Sequence, residues 1–293
     1  MSHLKLSFTF VTLSLFAVSA SSWAAKPNDW FTEKSSLTNA HKTLLEGDLE
    51  QSFHSMIQTW QKEPKEHIKN HLDNLLTKAL DKDCGRSFDG SGFPSWLEKV
   101  TIQRQTIQSP GRLNYRLRIL VQSNHRLDDV TFTKWPDLTL INKVGLVENK
   151  ERNHWLYSNR IDMNAQIDSG LYKFKLIDEA GEEWENWVIL SKPNNKQTVR
   201  WNSKDTWVVD KIGLLNRFCP LPVLEVSLYG NVSGEYTEVW KKEYETDYPE
   251  SVSNVALPPN RYLLGVSITH KRWQGLMTIE DKQIINKAYD ISD

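Results

Sequence analysis

The chain has 293 residues, a length that suits two or three domains with separate hydrophobic cores. Its 36 basic and 37 acidic residues nearly cancel, so no overall electric field attracts nucleic acid or an anionic membrane. We therefore expect no nucleic-acid partner, and any charge-driven partner must bind a local patch.

The first 24 residues have the pattern of a secretory signal peptide. Lys5 precedes an apolar run over residues 6–18, and Ser22 and Ala24 occupy the small-residue positions of a cleavage site. The alternative, an uncleaved membrane anchor, would need a run of about 20 apolar residues. We predict cleavage near Ala24, export of the mature chain and no transmembrane segment in it.

The sequence contains two cysteines, Cys84 and Cys219. In the oxidising compartment that export implies, we predict that they form one disulfide bond. The alternatives are two buried free thiols or a redox-active cysteine, and the absence of a CxxC motif weakens the redox alternative.

Residues 25–83 are predicted to form a three-helix unit. Apolar residues recur every three or four positions, Gly47 and Asp48 separate the first two helices, and Pro64 ends the second. The third helix is predicted to end at Gly85. The apolar positions of the first two helices are Leu44, Leu45, Leu49, Phe53, Met56, Ile57 and Trp60.

After a Gly- and Ser-rich linker at residues 84–96, the apolar period changes to two. The stretch RLNYRLRILV, for example, alternates from Leu113 to Val121, as expected of a half-buried strand. Similar alternation recurs to the end of the chain. We therefore predict a mainly β protein, with the three-helix unit followed by two tandem immunoglobulin-like β-sandwiches at residues 97–193 and 194–293.

A sequence repeat supports two sandwiches. Tyr172 and Tyr262 lie in similar alternating runs, and tryptophans follow them 12 and 11 residues later, at Trp184 and Trp273. This equivalence predicts a turn at residues 269–272 that matches the turn at residues 179–181, with residues 192–196 as the hinge between the sandwiches.

Acidic residues cluster around the first of these turns. They could form a catalytic or metal site, but the matching turn of the second copy carries basic residues instead. We therefore interpret them as the solvated tip of a β-hairpin. The residues are Asp178, Glu179, Glu182, Glu183 and Glu185.

Recognisable catalytic motifs do not occur in the sequence, which has no phosphate-binding glycine loop, HExxH motif, nucleophile elbow or CxxC pair. We expect a non-enzymatic protein without a cofactor. A hydrolase whose acids come from separate strands is the catalytic alternative.

Arginines and tryptophans supply candidate partner-binding residues. Arginines on one strand face project about 7 Å apart, a spacing that suits carboxylates or phosphates, although a solvated face is the plainer alternative. Two tryptophans an even number of residues apart could stack against a sugar or a protein, or could fill the ends of a sandwich. The candidates are Arg104, Arg112, Arg116, Arg118, Arg200, Trp201 and Trp207.

His67 and His71 are weak candidates for metal ligands, because they lie one turn apart on the third helix. A stable site needs a third ligand and ordered partners around it. We therefore interpret the pair as residues at the edge of the buried helix face and predict no metal site.

The signal peptide, the short helical unit and the segments GLYKFKLIDEAGEEWENWVIL and NRYLLGVSITHKRW together resemble a family of uncharacterised exported proteins from marine gamma-proteobacteria. The family is described as a domain of unknown function, and some members are encoded beside an envelope-sensing two-component kinase. The resemblance implies a periplasmic location and an accessory role in envelope sensing. It supplies no catalytic residues.

These observations together predict a periplasmic interaction protein that binds a protein partner in the cell envelope. The alternative is a module that binds glycan or cell wall through exposed tryptophans.

Overall fold

A computed structural model describes residues 35–151, 154–253 and 255–291. The predicted signal peptide, residues 1–24, lies outside the described residues, as do the first ten residues of the predicted helical unit. Within the described part of the chain, no helix is long and apolar enough to cross a membrane.

Three helices come first: α1 (Ser36–Glu46), α2 (Leu49–Gln61) and α3 (Glu66–Asp83). The predicted boundary between α1 and α2 is confirmed. Gly47 ends α1 in the left-handed conformation, with φ of 85°, and the Asp48 carboxylate accepts a hydrogen bond from the Gln51 N–H at the start of α2. The left-handed residue that ends the third helix is Cys84, with φ of 63°, one position before the predicted Gly85.

The helices pack on the outer face of a β-sheet. Their apolar side chains form one core with Leu171 and Ile189 from two neighbouring strands. Leu45 was predicted to belong to this apolar face but is 89% exposed. The buried stripe of α1 includes Ala40 and Thr43 instead.

Fourteen strands follow in the described residues. They are β1 (Leu97–Ser109), β2 (Arg112–Ser123), β3 (Leu127–Lys134), β4 (Leu138–Asn142), β5 (Leu146–Glu151), β6 (His154–Met163), β7 (Gly170–Asp178), β8 (Glu183–Leu190), β9 (Gln197–Trp201), β10 (Trp207–Lys211), β11 (Val223–Val232), β12 (Glu235–Tyr244), β13 (Asn260–Gln274) and β14 (Met277–Ile291). The predicted class, mainly β after an N-terminal helical unit, is confirmed.

Strands from both halves of the chain join in one eight-stranded sheet, in the order β12-β11-β13-β14-β1-β2-β6-β5. The join is the parallel pairing of β1 with β14, which runs from Thr101 opposite Thr278 to Gln108 opposite Ile285. The two halves therefore share a sheet and do not clearly form the two tandem immunoglobulin-like sandwiches that were predicted. The domain bounds given above stay a prediction.

The two halves nevertheless have the same strand arrangement. The four-stranded sheet has the order β4-β3-β7-β8, and the matching part of the eight-stranded sheet has the order β12-β11-β13-β14. All pairs within both runs are antiparallel. This agreement supports the internal repeat inferred from the sequence.

The two halves also have separate hydrophobic cores. In the first half, Ile102 and Ile119 of the large sheet pack with Phe132 and Phe174 of the four-stranded sheet. In the second half, the short β9–β10 hairpin contributes Trp207 to a core that includes Val266. Since both cores lie against the same sheet, the chain segment between β8 and β9 must cross from one core to the other.

The hairpin of the first copy forms as predicted, with β7 and β8 joined by a turn at residues 179–182. Cross-strand ion pairs on its surface join Lys173 to Glu185 at 2.7 Å and Lys175 to Glu183 at 2.9 Å. The interpretation as a solvated hairpin tip is thus confirmed for the glutamates.

Asp178 differs from the other acids of this turn, because it is fully buried. Its carboxylate accepts hydrogen bonds from the backbone N–H groups of Ala180 and Glu182 and contacts His125 Nδ1 at 2.8 Å. Burial alone would raise the pKa of Asp178, but these hydrogen bonds together lower it. Asp178 therefore holds the turn together.

The predicted turn of the second copy is wrong. Residues 269–272 lie inside β13, and the chain reverses after it, at Gly275 and Leu276. Side chains continue to alternate between the two faces of the sheet through this stretch. His270 and Arg272 therefore lie on the face that carries apolar residues earlier in the strand. Two polar residues at inward positions made a strand resemble a turn.

Candidate functional site

The disulfide bond between Cys84 and Cys219 is present, as predicted. It closes a loop across 135 residues and attaches the end of α3 to the segment before β11. Cys84 also lies beside β13, because its carbonyl accepts a hydrogen bond from the Trp273 N–H at 3.0 Å. The bond therefore brings together the helical unit and the second half of the β region.

The disulfide holds in place a surface segment, residues 212–222, which we call the disulfide loop. Further hydrogen bonds fix the residues that precede Cys219. The Asn216 side chain donates to the Leu80 carbonyl at 2.8 Å, and Arg86 Nη1 donates to the Phe218 carbonyl at 3.0 Å. Arg86 in turn stacks over the Trp273 ring at 3.9 Å.

This anchored loop exposes apolar side chains. Leu214 is 94% exposed and Ile212 is 69% exposed, and they are followed by Phe218 and Leu221, which are also exposed. Single exposed apolar residues are common, but four within ten residues of a fixed loop form a candidate binding surface. The loop carries the cation Arg217 and contains no acidic residue.

The predicted arginine surface is only partly as expected. Arg112, Arg116 and Arg118 do share the outer face of β2, but Arg116 is paired with Asp162 at 2.6 Å and Arg118 donates to the Ser158 hydroxyl. Asp162 also binds Arg160, so this one carboxylate offsets only part of the positive charge on the face.

Arg104 is not part of that surface. It stands opposite Leu117 in the β1–β2 register, on the inward face, and is 5% exposed. The sequence carried a signal for this placement, because Val100 and Ile102 precede it at alternate positions and are fully buried.

The predicted pair of stacking tryptophans is not available as such. Trp207 is fully buried, and its ring meets Trp201 edge to face at a centroid distance of 6.3 Å. Trp201 is half-buried, with Lys287 above its ring at 4.2 Å, and Arg200 is paired with Asp210 at 2.7 Å. A platform of two exposed rings on these residues is contradicted by the burial of Trp207.

The two weak metal candidates do not face each other. His71 instead meets His41 of α1, with the two Nε2 atoms 2.5 Å apart, while His67 is exposed. Among the described residues, no group of three or more His, Cys, Asp or Glu side chains is arranged to hold a metal ion.

The sequence analysis missed the exposed apolar residues of the disulfide loop. A signal was present in the stretch IGLLNRFCPL, where apolar residues surround a cysteine without the period of a helix or a strand. Such a run has no regular element in which to bury its side chains.

Comparison with known proteins adds a family and no function. No curated protein matches the sequence. A family model matches residues 30–290, which is nearly the whole chain and includes every helix and strand described above apart from the last residue of β14. The chain therefore belongs to the family described as "Protein of unknown function (DUF2861)".

Proposed function

We propose that this chain is a non-enzymatic interaction protein of the cell envelope, and that the disulfide loop binds its protein partner. The observation that carries this proposal is the exposure of Leu214 and Ile212 on a segment fixed by the Cys84–Cys219 bond. An ordered loop loses little conformational entropy on binding, so its apolar contacts contribute more of their free energy to affinity.

The charge of the loop indicates the chemistry of the partner. The loop and its flank carry the exposed cations Lys211 and Arg217, and the loop sequence has no acid. The best-matched partner therefore presents apolar side chains flanked by carboxylates, since opposite charges at the rim of an interface favour the correct partner.

A periplasmic location is part of this proposal. The disulfide bond supports an oxidising compartment. The chain resembles proteins that are encoded beside an envelope-sensing kinase. The role that we propose is therefore an accessory role in envelope sensing. We further propose that the repeated strand order reflects two fused immunoglobulin-like units, an architecture that presents binding loops at the ends of its sheets.

The test is photo-crosslinking in the native host with a photoreactive amino acid at position 214. Position 45 is a matched control, because Leu45 is also an exposed leucine, at 89%, but lies on α1. We expect one envelope protein to be captured from position 214 and not from position 45. Leu214→Ser should then abolish its co-purification, whereas Leu45→Ser should not.

Both serine variants should unfold at the wild-type temperature, since neither side chain is buried. The same proteins captured from both positions, or none from position 214, would refute the assignment of the loop. Retained co-purification by folded Leu214→Ser protein would do so as well.

A further inference from the structure

Polar residues interrupt the inward face of the eight-stranded sheet between its two cores. On β14, Met277 and Ile279 belong to the first core and Ile285 belongs to the second. The two inward positions between them hold Asp281 and Gln283. A polar strip therefore separates the two hydrophobic cores.

The ends of this strip are closed by glutamines that bond to backbone. Gln274 exchanges two hydrogen bonds with Ile189 of β8, and Gln283 exchanges two with Val199 of β9. Between these contacts, residues 191–196 cross over the strip without belonging to a strand. The crossing segment and the strip enclose the space between them.

Two arginines lie in the strip, and one of them is well compensated. Arg104 donates hydrogen bonds to both carboxylate oxygens of Asp281, at 2.7 and 2.8 Å. Its remaining terminal nitrogen, Nη1, donates a hydrogen bond to the Ser191 carbonyl. The pair is almost fully enclosed, with side-chain exposures of 5% and 10%. The single carboxylate of Asp281 is thus already committed to one guanidinium group.

Arg272 has no such partner. Both of its terminal nitrogens are shielded from solvent, and neither has a hydrogen-bond acceptor within the described residues. Burial, and then the neighbouring charge of Arg104, lowers the pKa of Arg272 to about 10, so the group stays charged at neutral pH. A buried charge without an acceptor is costly for the folded state.

His270 adds a further donor two residues away on the same strand face. Its Nε2 accepts a hydrogen bond from the Gln197 backbone N–H at 3.3 Å, so in the neutral ring the proton is on Nδ1. That Nδ1 is buried and has no partner among the described residues. Burial lowers the pKa of His270, although Asp281 opposes the shift, so the neutral ring is favoured.

These groups line a cavity of about 350 Å³. Its lining includes five cationic side chains but two carboxylates, those of Asp81 and Asp281. The opposite wall is apolar and comes from α3 and the disulfide loop, with Leu80, Leu214, Leu215 and Pro220. The cationic side chains are Arg104, Lys192, Lys196, Lys271 and Arg272.

We propose that this cavity is a binding site for a small amphipathic organic anion, whose carboxylate or phosphate group is bound by the lysines of the lining and attracted by the buried charge of Arg272. Its apolar part contacts Leu214 and Leu215. The volume suits a small molecule, and an oxyanion supplies negative charge to a lining in which five cations face two carboxylates. Leu214 belongs both to this cavity and to the proposed partner-binding loop, but the cavity is tested with the purified chain alone, so the two proposals can fail separately.

The experiment compares ligands of one tail length by ligand-observed NMR and thermal unfolding of the purified mature protein. Hexanoate and hexyl phosphate are the two anionic probes, hexanamide is the uncharged match, and sodium chloride keeps the ionic strength equal. We expect at least one anion to bind with roughly millimolar or better affinity. It should bind at least tenfold more tightly than hexanamide, and the better probe identifies the oxyanion.

Variants then assign the binding to the cavity. Arg272→Met should lose at least tenfold in affinity for the better anion and should unfold at a higher temperature than wild type without ligand, because it removes a buried charged group whose terminal nitrogens have no hydrogen-bond acceptor among the described residues. Arg126→Met, at an exposed arginine outside both the cavity and the disulfide loop, should change neither quantity. If Arg272→Met does not fold, Lys196→Met replaces it, with reduced affinity as the expected result.

Equal binding of hexanoate, hexyl phosphate and hexanamide would overturn the proposal, as would no binding of either anion. Anion affinity that is unchanged in the folded Arg272→Met or Lys196→Met protein would also overturn it.

Discussion

Tyr172 and Tyr262 make the same hydrogen bond in the two halves of the chain. Each phenolic O–H donates to the backbone carbonyl four residues upstream, that of Asp168 at 2.7 Å and that of Pro258 at 2.8 Å. Each tyrosine is the third residue of its strand, β7 or β13, and both are buried. Such a bond ties the loop before a strand to the strand itself, as the tyrosine corner of immunoglobulin-like sandwiches does.

This relationship predicts matched effects of removing the two hydroxyl groups. Tyr172→Phe and Tyr262→Phe should each lower the free energy of unfolding by about 1–2 kcal/mol, because a carbonyl loses its donor. The two losses should add, since the residues belong to separate cores. Urea unfolding measures both, and Tyr236→Phe, at an exposed tyrosine, is the control. A loss from only one of the two tyrosines would contradict their equivalence.

The disulfide bond should contribute strongly to stability. Replacing both Cys84 and Cys219 by serine removes a closure across 135 residues, which the chain-entropy model values at about 5 kcal/mol. We expect the urea midpoint to fall by a corresponding amount. Mass spectrometry without reducing agent should find one cross-linked peptide containing both cysteines. Two alkylatable thiols in the exported protein, or an unchanged midpoint, would contradict the prediction.

Asp281 should be among the most sensitive charged residues of the chain. Asp281→Asn leaves Arg104 buried without its carboxylate, beside a second arginine that already lacks one, and should cost about 3–5 kcal/mol. Asp290→Asn is the matched control, because the Arg261–Asp290 pair is exposed and 3.8 Å apart. Chemical denaturation compares the two variants, and equal midpoints would contradict the prediction.

Stability should decrease as the pH falls below about 6.5, the ordinary pKa of histidine. Burial lowers the pKa of His270, and burial together with His71 lowers the pKa of His41. Because the unfolded chain binds these protons more readily than the folded chain, protonation favours unfolding. The stabilisation is fully present above the unfolded pKa and is lost as the pH falls through the folded values.

His270→Gln keeps an acceptor for the Gln197 N–H but cannot take up a proton in this range. Urea unfolding between pH 7 and pH 5 should therefore show a smaller loss of stability in this variant than in wild type. Gln at exposed His67 is the matched control for the replacement itself. The same slope for wild type and His270→Gln would exclude His270 as a source of the effect.

Local features of this chain were determined by the sequence alone. Gly47 and Asp48 separate α1 from α2 because left-handed geometry and N-terminal capping depend on a few neighbouring residues. The alternation of Leu117, Ile119 and Val121 gave a strand, because its period reflects pleat geometry. The disulfide bond could be predicted because the sequence contains two cysteines and neither has another cysteine to pair with.

Other features depended on the tertiary structure. Arg104 and Asp281 are 177 residues apart and meet because β1 pairs in parallel with β14. No local period predicts which distant strands become neighbours, because that choice depends on how both halves bury their apolar faces together. For the same reason, the stretch around His270 and Arg272 resembled a turn in the sequence. Polar residues at inward positions of a strand are explained only by the tertiary structure, in which a polar strip separates the two cores.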